Sequence, residues 1–294
     1  MSAIIIDGKA VALKKREEAK HKVSMLKEKS VTPCLAVVLI GDDPASLSYV
    51  TAKERALEEA GMESQDIRLA ASTSESELID IIAKLNQDKN VHGILVQLPL
   101  PRHINEDKVI AAIDPSKDVD GFHPVSVGNM VLGRQGFLPC TPHGVIVLLR
   151  ELGIPVSGAH AVVVGRSNIV GKPLANLLAR RDMNATVTVC HTGTKDLGKY
   201  TLQADILIAA AGKPGLITAD MIRPGAAVID VGVNRVPDAN TKSGYRLCGD
   251  VNYLEAAEKA GYITPVPGGV GPMTIAMLMQ NVVQAAAWIH SISL

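Results

Sequence analysis

The sequence has few aromatic residues, with two Phe, one Trp and five Tyr in 294 residues. Hydrophobic residues still make up 47% of the chain, so its cores are predicted to be aliphatic, as in an ordinary α/β globular protein. The formal net charge is zero at pH 7, which leaves no electrostatic field to attract a polyanion. Nucleic acid and an anionic membrane surface are therefore not expected partners.

Cysteine is also scarce. Cys34, Cys140, Cys190 and Cys248 are scattered along the chain without a C-x-x-C pair. Zinc sites and disulfide frameworks need closely spaced or regularly paired cysteines. The sequence thus predicts neither, and no metal is expected.

The chain lacks a long uninterrupted hydrophobic run. A long uncharged stretch covers residues 262–288, and prolines and glycines interrupt its first half. The part after Thr274 is shorter than a membrane span and contains Gln280 and Asn281, so a buried closing helix is predicted. The first residues form no basic leader, so a cytoplasmic protein is expected.

The segment from Ala161 to Lys172 combines a strand, a glycine turn and a helix start. Apolar residues run into Gly165, and Gly171 opens a segment whose apolar residues have helical spacing. Glycine lets the backbone approach a ligand closely, and a helix start offers N–H groups to phosphate. The spacing departs from G-x-G-x-x-G, so the segment alone is compatible with a nucleotide site or with a tight turn.

Three more strand-like runs, at 185–190, 204–212 and 226–232, alternate with helical segments. This alternation predicts a parallel, doubly wound, Rossmann-like sheet, which binds ligands beyond the carboxyl ends of its strands. Because the second strand ends without a carboxylate that would repel a 2′-phosphate, NADP is favoured over NAD. The loop ends expected to converge on one crevice are Gly165-Arg166-Ser167, His191-Thr192, Ala211-Gly212 and Gly232-Val233, with Thr194 as a further donor.

Residues 1–120 show their own alternation of strands and helices and predict a separate α/β lobe. Its expected strands are 3–6, 34–41 and 91–99, and its expected helices are 8–29, 46–60 and 75–88. A segment rich in Gly and Pro, 114–142, is predicted to cross between lobes, followed by a long helix at 142–152. The predicted domains are 1–138 with a returning helix at 274–294, and 139–273. The cleft between lobes is the default place for a substrate.

Four stretches of this chain carry candidate chemistry. Tyr49 and Lys53 lie four positions apart, on one helix face, where a phenol and an ammonium form either a proton relay or plain surface. Gln97 follows a buried strand and is either a strand cap or a ligand contact. The loop 118–124, with Asp120, is either a turn or a site of metal ligation. The segment 265–274 predicts a fixed loop with exposed amides.

Six motifs in chain order carry a family resemblance that spans nearly the whole sequence. The chain resembles the bifunctional methylenetetrahydrofolate dehydrogenase/cyclohydrolase family. The motifs are Tyr49-x-x-x-Lys53, Val96-Gln-Leu-Pro-Leu-Pro101, Asp118-Val-Asp-Gly121, Pro139-Cys-Thr-Pro142, Gly165-Arg-Ser-Asn-Ile-Val-Gly-Lys-Pro173 and Pro265-Val-Pro-Gly-Gly-Val-Gly-Pro-Met-Thr274.

The resemblance implies a homodimeric cytoplasmic enzyme of one-carbon metabolism. It would oxidise 5,10-methylenetetrahydrofolate with NADP and then hydrolyse the methenyl product to 10-formyltetrahydrofolate. Lys53 would be the main catalytic residue, assisted by Tyr49 and Gln97, while Asp120 would hold the pterin. The implied cofactor residues are Gly165, Arg166, Ser167, His191, Thr192 and Val233. The implied substrate residues are Tyr49, Lys53, Gln97, Leu98, Asp120, Pro267, Gly268 and Gly271. Thr192-Gly193 departs from the Ser or Arg that many relatives carry after the histidine, which bears on the selection of the 2′-phosphate.

The residue types suit both reactions. Hydride transfer chiefly needs alignment of substrate and cofactor, whereas hydrolysis needs a group that moves protons, for which Lys53 is the candidate. Two other functions fit parts of the pattern. One is a shikimate-like NADP-dependent dehydrogenase, which has no use for the Tyr/Lys pair beside Gln97, and the other is a non-catalytic NADP sensor.

Overall fold

The computed structural model describes residues 2–241 and 244–294. The chain divides into two compact units. The six-stranded unit comprises Met1–Ala12 and Pro139–Thr274, and the three-stranded unit comprises Leu13–Leu138 and Ile275–Leu294. Each is named for the main sheet formed by its described residues.

The six-stranded unit contains a wholly parallel sheet with strand order β1-β11-β8-β7-β5-β6. Apart from the partly buried His160 at the start of β5 and the buried Asp230 at the end of β8, the central strands are buried aliphatic residues, as expected for a parallel sheet covered on both faces. The predicted Rossmann-like architecture is thereby confirmed. The strands are β1 (Ile4–Ile5), β5 (His160–Val164), β6 (Thr186–Cys190), β7 (Ile206–Ala209), β8 (Ala227–Asp230) and β11 (Tyr262–Ile263).

Smaller elements complete this unit. A two-stranded antiparallel sheet forms from β9 (Asn234–Pro237) and β10 (Tyr245–Cys248). A 3-10 helix covers Ala219–Met221. The helices within the unit are α6 (Cys140–Glu151), α7 (Gly171–Ala179), α8 (Leu197–Thr201) and α9 (Tyr253–Lys259).

The first strand of the chain is not where the sequence suggested. Residues 3–6 were predicted to open the lobe of residues 1–138, yet Ile4 and Ile5 pair in parallel with Tyr262 and Ile263 of β11. Ala3 also belongs to the apolar core of the six-stranded unit. The strand at Ile4–Ile5 therefore joins the sheet of the six-stranded unit and not that of β2, because a short apolar run does not specify which sheet edge it will join.

The three-stranded unit has a parallel sheet with β2 (Cys34–Ile40) between β3 (Glu63–Leu69) and β4 (Gly93–Val96). Every residue of β2 is buried. The sequence analysis missed β3, whose ESQDIRL sequence is polar, because an edge strand with an exposed face carries no apolar run. The helices within this unit are α2 (Pro44–Glu59), α3 (Glu75–Gln87), α4 (Glu106–Ala112) and α5 (Pro124–Leu132).

Two long helices contribute residues to both units, α1 (Gly8–Lys27) and α10 (Val270–Ile289). α10 begins at Val270, so the end of the segment 265–274, predicted to be a loop, is helical instead. Helix α5 likewise lies in a segment predicted to be a connection. Among the described residues, none of the helices has the length and apolar content needed to cross a membrane.

Candidate active site and cofactor cavity

A cavity of about 650 Å³ opens at the carboxyl ends of β5, β6 and β7 in the six-stranded unit. This volume lies within the usual range for a small-molecule or cofactor site. Three of the four loop ends expected to converge do line it. The lining residues are Val164, Gly165, Arg166, Ser167, His191, Thr192, Thr194, Leu197, Ala210, Ala211, Lys213 and Leu216.

Gly165 allows two backbone segments to meet on one side of this cavity. Its φ is +135°, and a Cβ at this position would collide with the carbonyl oxygen of Ala210. A side chain is therefore excluded by the conformation and by the neighbouring strand end. The turn thus brings main chain directly to the cavity wall, which is the contact that a bound dinucleotide requires.

The start of α7 differs from the expectation of unpaired N–H groups. The amides of Val170 and Gly171 donate to the Ser167 hydroxyl oxygen, at 3.2 and 3.3 Å. That oxygen accepts two bonds and its O–H remains a donor. A phosphate at this turn would thus be met by the Ser167 hydroxyl and the Arg166 side chain, both exposed, rather than by the first amides of the helix.

The loop after β6 holds the imidazole of His191 in one tautomer. The amide of Gly193 donates to His191 Nδ1 at 3.0 Å, and the His191 amide donates to the Thr194 hydroxyl at 2.9 Å. Because Nδ1 accepts, the neutral ring carries its proton on Nε2 and can donate it to a ligand. Val233 is not among the cavity-lining residues and is 49% exposed on a neighbouring loop.

In the three-stranded unit, Lys53 and Gln97 are brought into contact from different elements. The Lys53 ammonium on α2 donates to Gln97 Oε1 at 3.0 Å, just after the end of β4. Lys53 is only 6% exposed, and its Nζ lies 5.8 Å from the centroid of the Tyr49 ring. The predicted trio therefore lies together, with an ammonium largely removed from water.

Neighbouring contacts fix the orientation of these side chains. Gln97 Nε2 donates to the carbonyl of Leu98 at 2.8 Å, which leaves Oε1 to accept from Lys53. Asp43 caps α2 by accepting from the amide of Ser46 at 2.8 Å. Tyr49 is 39% exposed, and partial burial raises the pKa of its phenol, so it stays protonated at neutral pH.

The loop with Asp120 is held by two buried side chains. Asp118 accepts from the amides of Phe122 and His123, at 3.2 and 2.9 Å, and burial raises its pKa to about 6 despite these bonds. Asn281 on α10 donates to the carbonyls of Val119 and Leu138, at 2.8 and 3.0 Å. Asp120 itself is half-buried.

No cluster of three or more His, Cys, Asp or Glu residues suited to hold a metal ion occurs in the part of the chain that the structure describes.

The remaining predicted substrate residues lie in the six-stranded unit. Pro267 is exposed and Gly268 is buried with φ of +109°, close to the start of α10, while Gly271 is in its first turn. The amide of Gly269 donates to the carbonyl of Pro265 at 2.9 Å, so this segment is an ordered turn. The site residues predicted from sequence are thus divided between the two units.

Sequence reasoning missed three polar residues that organise these sites: Asp230 and Asp250, which bind main-chain amides beside the cavity, and Asn281. A signal for the first two was present, since IDVG (229–232) and CGDV (248–251) each place an aspartate near a glycine at a strand end. Asn281 is a lone amide in an apolar helix, which indicates a buried partner without saying which one.

Comparison with known proteins matches the two parts of the chain to two domain models of one enzyme family. Residues 139–290 match the model of the tetrahydrofolate dehydrogenase/cyclohydrolase NAD(P)-binding domain, and residues 6–120 match that of the catalytic domain. The bifunctional protein FolD of Moorella thermoacetica is 59% identical over 286 residues, covering 97% of this chain and 99% of the relative.

Solved structures of the same family are also similar to this chain over nearly its whole length. The FolD methylenetetrahydrofolate dehydrogenase/cyclohydrolase of Campylobacter jejuni is 51% identical, with a TM-score of 0.92 over 97% of this chain and 99% of that one. The Trypanosoma brucei enzyme, complexed with NADP and an inhibitor, is 39% identical, with a TM-score of 0.94 over 98% of each chain.

A shikimate dehydrogenase shares only the fold. That of Thermus thermophilus is 18% identical with a TM-score of 0.53, over 87% of this chain and 99% of that one. The full-length matches at much higher identity decide against the shikimate-like alternative. The resemblance predicted from the six motifs is confirmed, and the chain belongs to the tetrahydrofolate dehydrogenase/cyclohydrolase family.

Proposed function

We propose that this chain oxidises 5,10-methylenetetrahydrofolate with NADP and hydrolyses the resulting methenyl compound to 10-formyltetrahydrofolate. The observation that carries the proposal is the buried Lys53 ammonium, bonded to Gln97 Oε1 and close to the ring of Tyr49. A non-catalytic NADP sensor would not require a buried ammonium in the three-stranded unit, because the cofactor cavity lies in the six-stranded unit.

Lys53 is proposed to transfer protons during hydrolysis of the methenyl compound. Water adds to the methenyl carbon and must lose a proton, and a ring nitrogen must gain one as its bond to that carbon breaks. A lysine whose contact is a neutral amide oxygen can release and regain a proton without disrupting a salt bridge. Gln97 orients it, and the Tyr49 phenol, protonated at neutral pH, is a second donor in reach of the same region.

The oxidation step requires less proton chemistry from the protein. When bound, NADP supplies the acceptor for the hydride. The cavity at Gly165 fits this group, because a bare backbone turn, a hydroxyl and a guanidinium line it together. Arg166 and Thr192 would bind the 2′-phosphate, and His191 would donate from Nε2. Val233, on the next loop, is proposed to contact the cofactor once it is bound.

The substrate contacts follow the same assignment. Asp120 is proposed to hold the pterin, because a half-buried carboxylate on an ordered loop can accept from paired N–H donors. Leu98, Pro267, Gly268 and Gly271 are proposed to complete the folate contacts. We also infer from the family that the enzyme is a homodimer that works in the cytoplasm, which light scattering and cell fractionation would test.

One assay tests the proposed function. Purified protein is mixed with NADP and methylenetetrahydrofolate, and the absorbance of the methenyl compound is followed together with that of NADPH. We expect NADPH to form and the methenyl absorbance to remain low, since the second activity consumes the intermediate. If neither absorbance changes and added methenyltetrahydrofolate is not hydrolysed faster than in buffer, the proposed function is wrong.

A further inference from the structure

Two buried aspartates tie together the strand ends that flank the cofactor cavity. Asp250 follows β10 and is fully buried, and Asp230 ends β8 and is 3% exposed. A buried carboxylate is costly unless hydrogen bonds satisfy it. Both are satisfied chiefly by main-chain amides, so their negative charge serves to hold backbone in place.

Asp250 binds two loops at once. Its Oδ2 accepts from the amides of Ala211 and Gly212, at 2.6 and 2.8 Å, and its Oδ1 accepts from Asn234 Nδ2 at 2.9 Å. Ala211 is part of the cavity wall, and Asn234 directly follows Val233. One carboxylate therefore fixes the loop after β7 relative to the loop after β8.

Asp230 in turn fixes Asp250. Its Oδ1 accepts from the amides of Gly232 and Asp250, both at 3.0 Å, and its Oδ2 accepts from the amide of Val251 at 2.9 Å. The Asp230 amide donates to the Thr264 hydroxyl at 2.7 Å. The network thus runs from Thr264 through both aspartates to the cavity wall.

Two glycines make room for this arrangement. A Cβ at Gly232 would collide with the Asp250 carboxylate, and a Cβ at Gly249 would collide with that of Asp230. Each aspartate therefore packs against a glycine from the other strand end. The reciprocal close approach explains why IDVG and CGDV each combine the two residue types.

From this network we infer that Asp250 is a positioning residue for the cofactor site, holding the Ala211 and Val233 loops at the separation that the bound dinucleotide needs. The inference rests on the proposed NADP site. Ala211, which lines the cavity, and Gly212 are both exposed, and their amides are held by the two bonds to Asp250. Loss of these bonds is expected to loosen the wall without unfolding the sheet beneath it.

An exchange of partners tests this inference. Asp250→Asn places an NH₂ group either against Asn234 Nδ2 or against the two amides, so one donor meets another. We expect the Kd for NADP, measured by titration, to rise about tenfold, the usual scale for one unsatisfied buried group. The double variant Asn234→Asp with Asp250→Asn restores a donor–acceptor pair, and its Kd should return to within about threefold of the unaltered protein.

Three readouts separate the possible outcomes. Hydrolysis of added methenyltetrahydrofolate should stay unchanged in Asp250→Asn, and the KM for NADP should rise while that for the folate does not. Asp220→Asn, an exposed aspartate of the same unit, is the matched control and should behave as the unaltered protein. An unchanged Kd in Asp250→Asn, an equal loss of hydrolysis, or no recovery in the double variant would each overturn the inference. Failure of the unaltered protein to bind NADP would instead overturn the proposed function.

Discussion

The two units bury charged groups in different ways. In the six-stranded unit, Asp230 and Asp250 are surrounded by main-chain amides. In the three-stranded unit, the lysines buried among the described residues are Lys53 and Lys117, and each donates to oxygen. In the six-stranded unit, therefore, the buried charged groups hold the backbone in place. The three-stranded unit also places a buried cation, Lys53, beside the polar side chain of Gln97.

The comparison shows how a buried charge can be assigned a role from its partners. Lys117 donates to the carbonyls of Leu85 and Asp88, at 2.9 and 2.7 Å, and so satisfies backbone oxygens at the carboxyl end of α3. Lys53 donates to a side-chain amide at the end of a strand, where ligands bind in α/β units. A buried charged side chain that bonds to several main-chain groups is inferred to have a structural role. One that bonds to a polar side chain at a strand end is inferred to take part in binding or catalysis.

The largest expected effect comes from Lys53→Met, which keeps the apolar stem and removes the ammonium. Hydrolysis of methenyltetrahydrofolate should fall by roughly 10²-fold or more, the usual scale for losing a general acid or base. NADP binding should be unchanged, and dehydrogenase activity should fall less, so the methenyl intermediate accumulates and can be followed by absorbance.

Lys117→Met is the matched control for this variant, because it also removes a buried ammonium. It should lower stability, since two carbonyls lose their donor, but leave hydrolysis per folded molecule intact. Hydrolysis near the unaltered rate in Lys53→Met would contradict the assigned role. Equal losses in the two lysine variants would show that the effect is structural.

A second prediction concerns His92, a buried base of the three-stranded unit. His92 Nδ1 accepts from the Cys34 amide at 3.1 Å, and Nε2 faces His290 Nε2 at 3.1 Å. Burial, followed by His290 and Lys117, lowers the pKa of His92 to about 4 from 6.5, against a smaller raising effect of Asp88. Between these values the unfolded chain binds a proton that the folded protein does not, so stability should fall as the pH falls.

The variant His92→Asn keeps an acceptor for the Cys34 amide but does not titrate. Between pH 7.5 and 4.5 the unaltered protein should lose on the order of 2 kcal/mol more unfolding free energy than the variant, as measured in urea. Asp118 and Asp230 have pKa values raised to about 6 by burial and act in the opposite direction, but both remain in the variant. Parallel pH profiles for the two proteins would contradict the prediction.

A third prediction tests the cavity of the six-stranded unit. Arg166→Ala should lower the preference for NADP over NAD about tenfold, because a charge-assisted bond to the 2′-phosphate is lost. The ratio of kcat/KM for the two cofactors measures it. Lys172→Ala, at the start of α7, is the control, since the Lys172 ammonium is bonded to Asn168 at 2.6 Å. If Arg166→Ala lowers kcat/KM equally for NADP and NAD, Arg166 does not bind the 2′-phosphate.

The smallest expected effect belongs to Asn281→Leu. The carbonyls of Val119 and Leu138 lose their donor, which should cost about 1 kcal/mol of stability. The bond to the Val119 carbonyl holds the loop next to Asp120, the residue proposed to hold the pterin. Its loss should therefore raise the KM for the folate modestly, while NADP binding does not change. Gln280→Leu on the same helix is the control, since Gln280 bonds to Lys15 and Lys22 of α1. A rise in the folate KM in both variants would show a general loss of helix packing.

Much of this molecule was determined by local sequence. Strands β2, β5 and β7 consist mostly of buried aliphatic residues. Gly165 follows β5 because a residue with a Cβ would fit neither its φ nor its contact with Ala210. Tyr49 and Lys53 share a helix face simply through their spacing of four. These features depend on neighbours along the chain, so a pattern in the sequence is enough to predict them.

Other features were decided only by the tertiary structure. The joining of β1 to β11, the edge strand β3, the bonds of Asp250 to Ala211 and Gly212, and the contact of Lys53 with Gln97 all join segments distant in sequence. A single carboxylate or amide in a sequence shows that a buried partner is needed but not which one, because many pairings satisfy the same hydrogen bonds. The register of the sheets selects the partner, and with it the positions of the proposed sites.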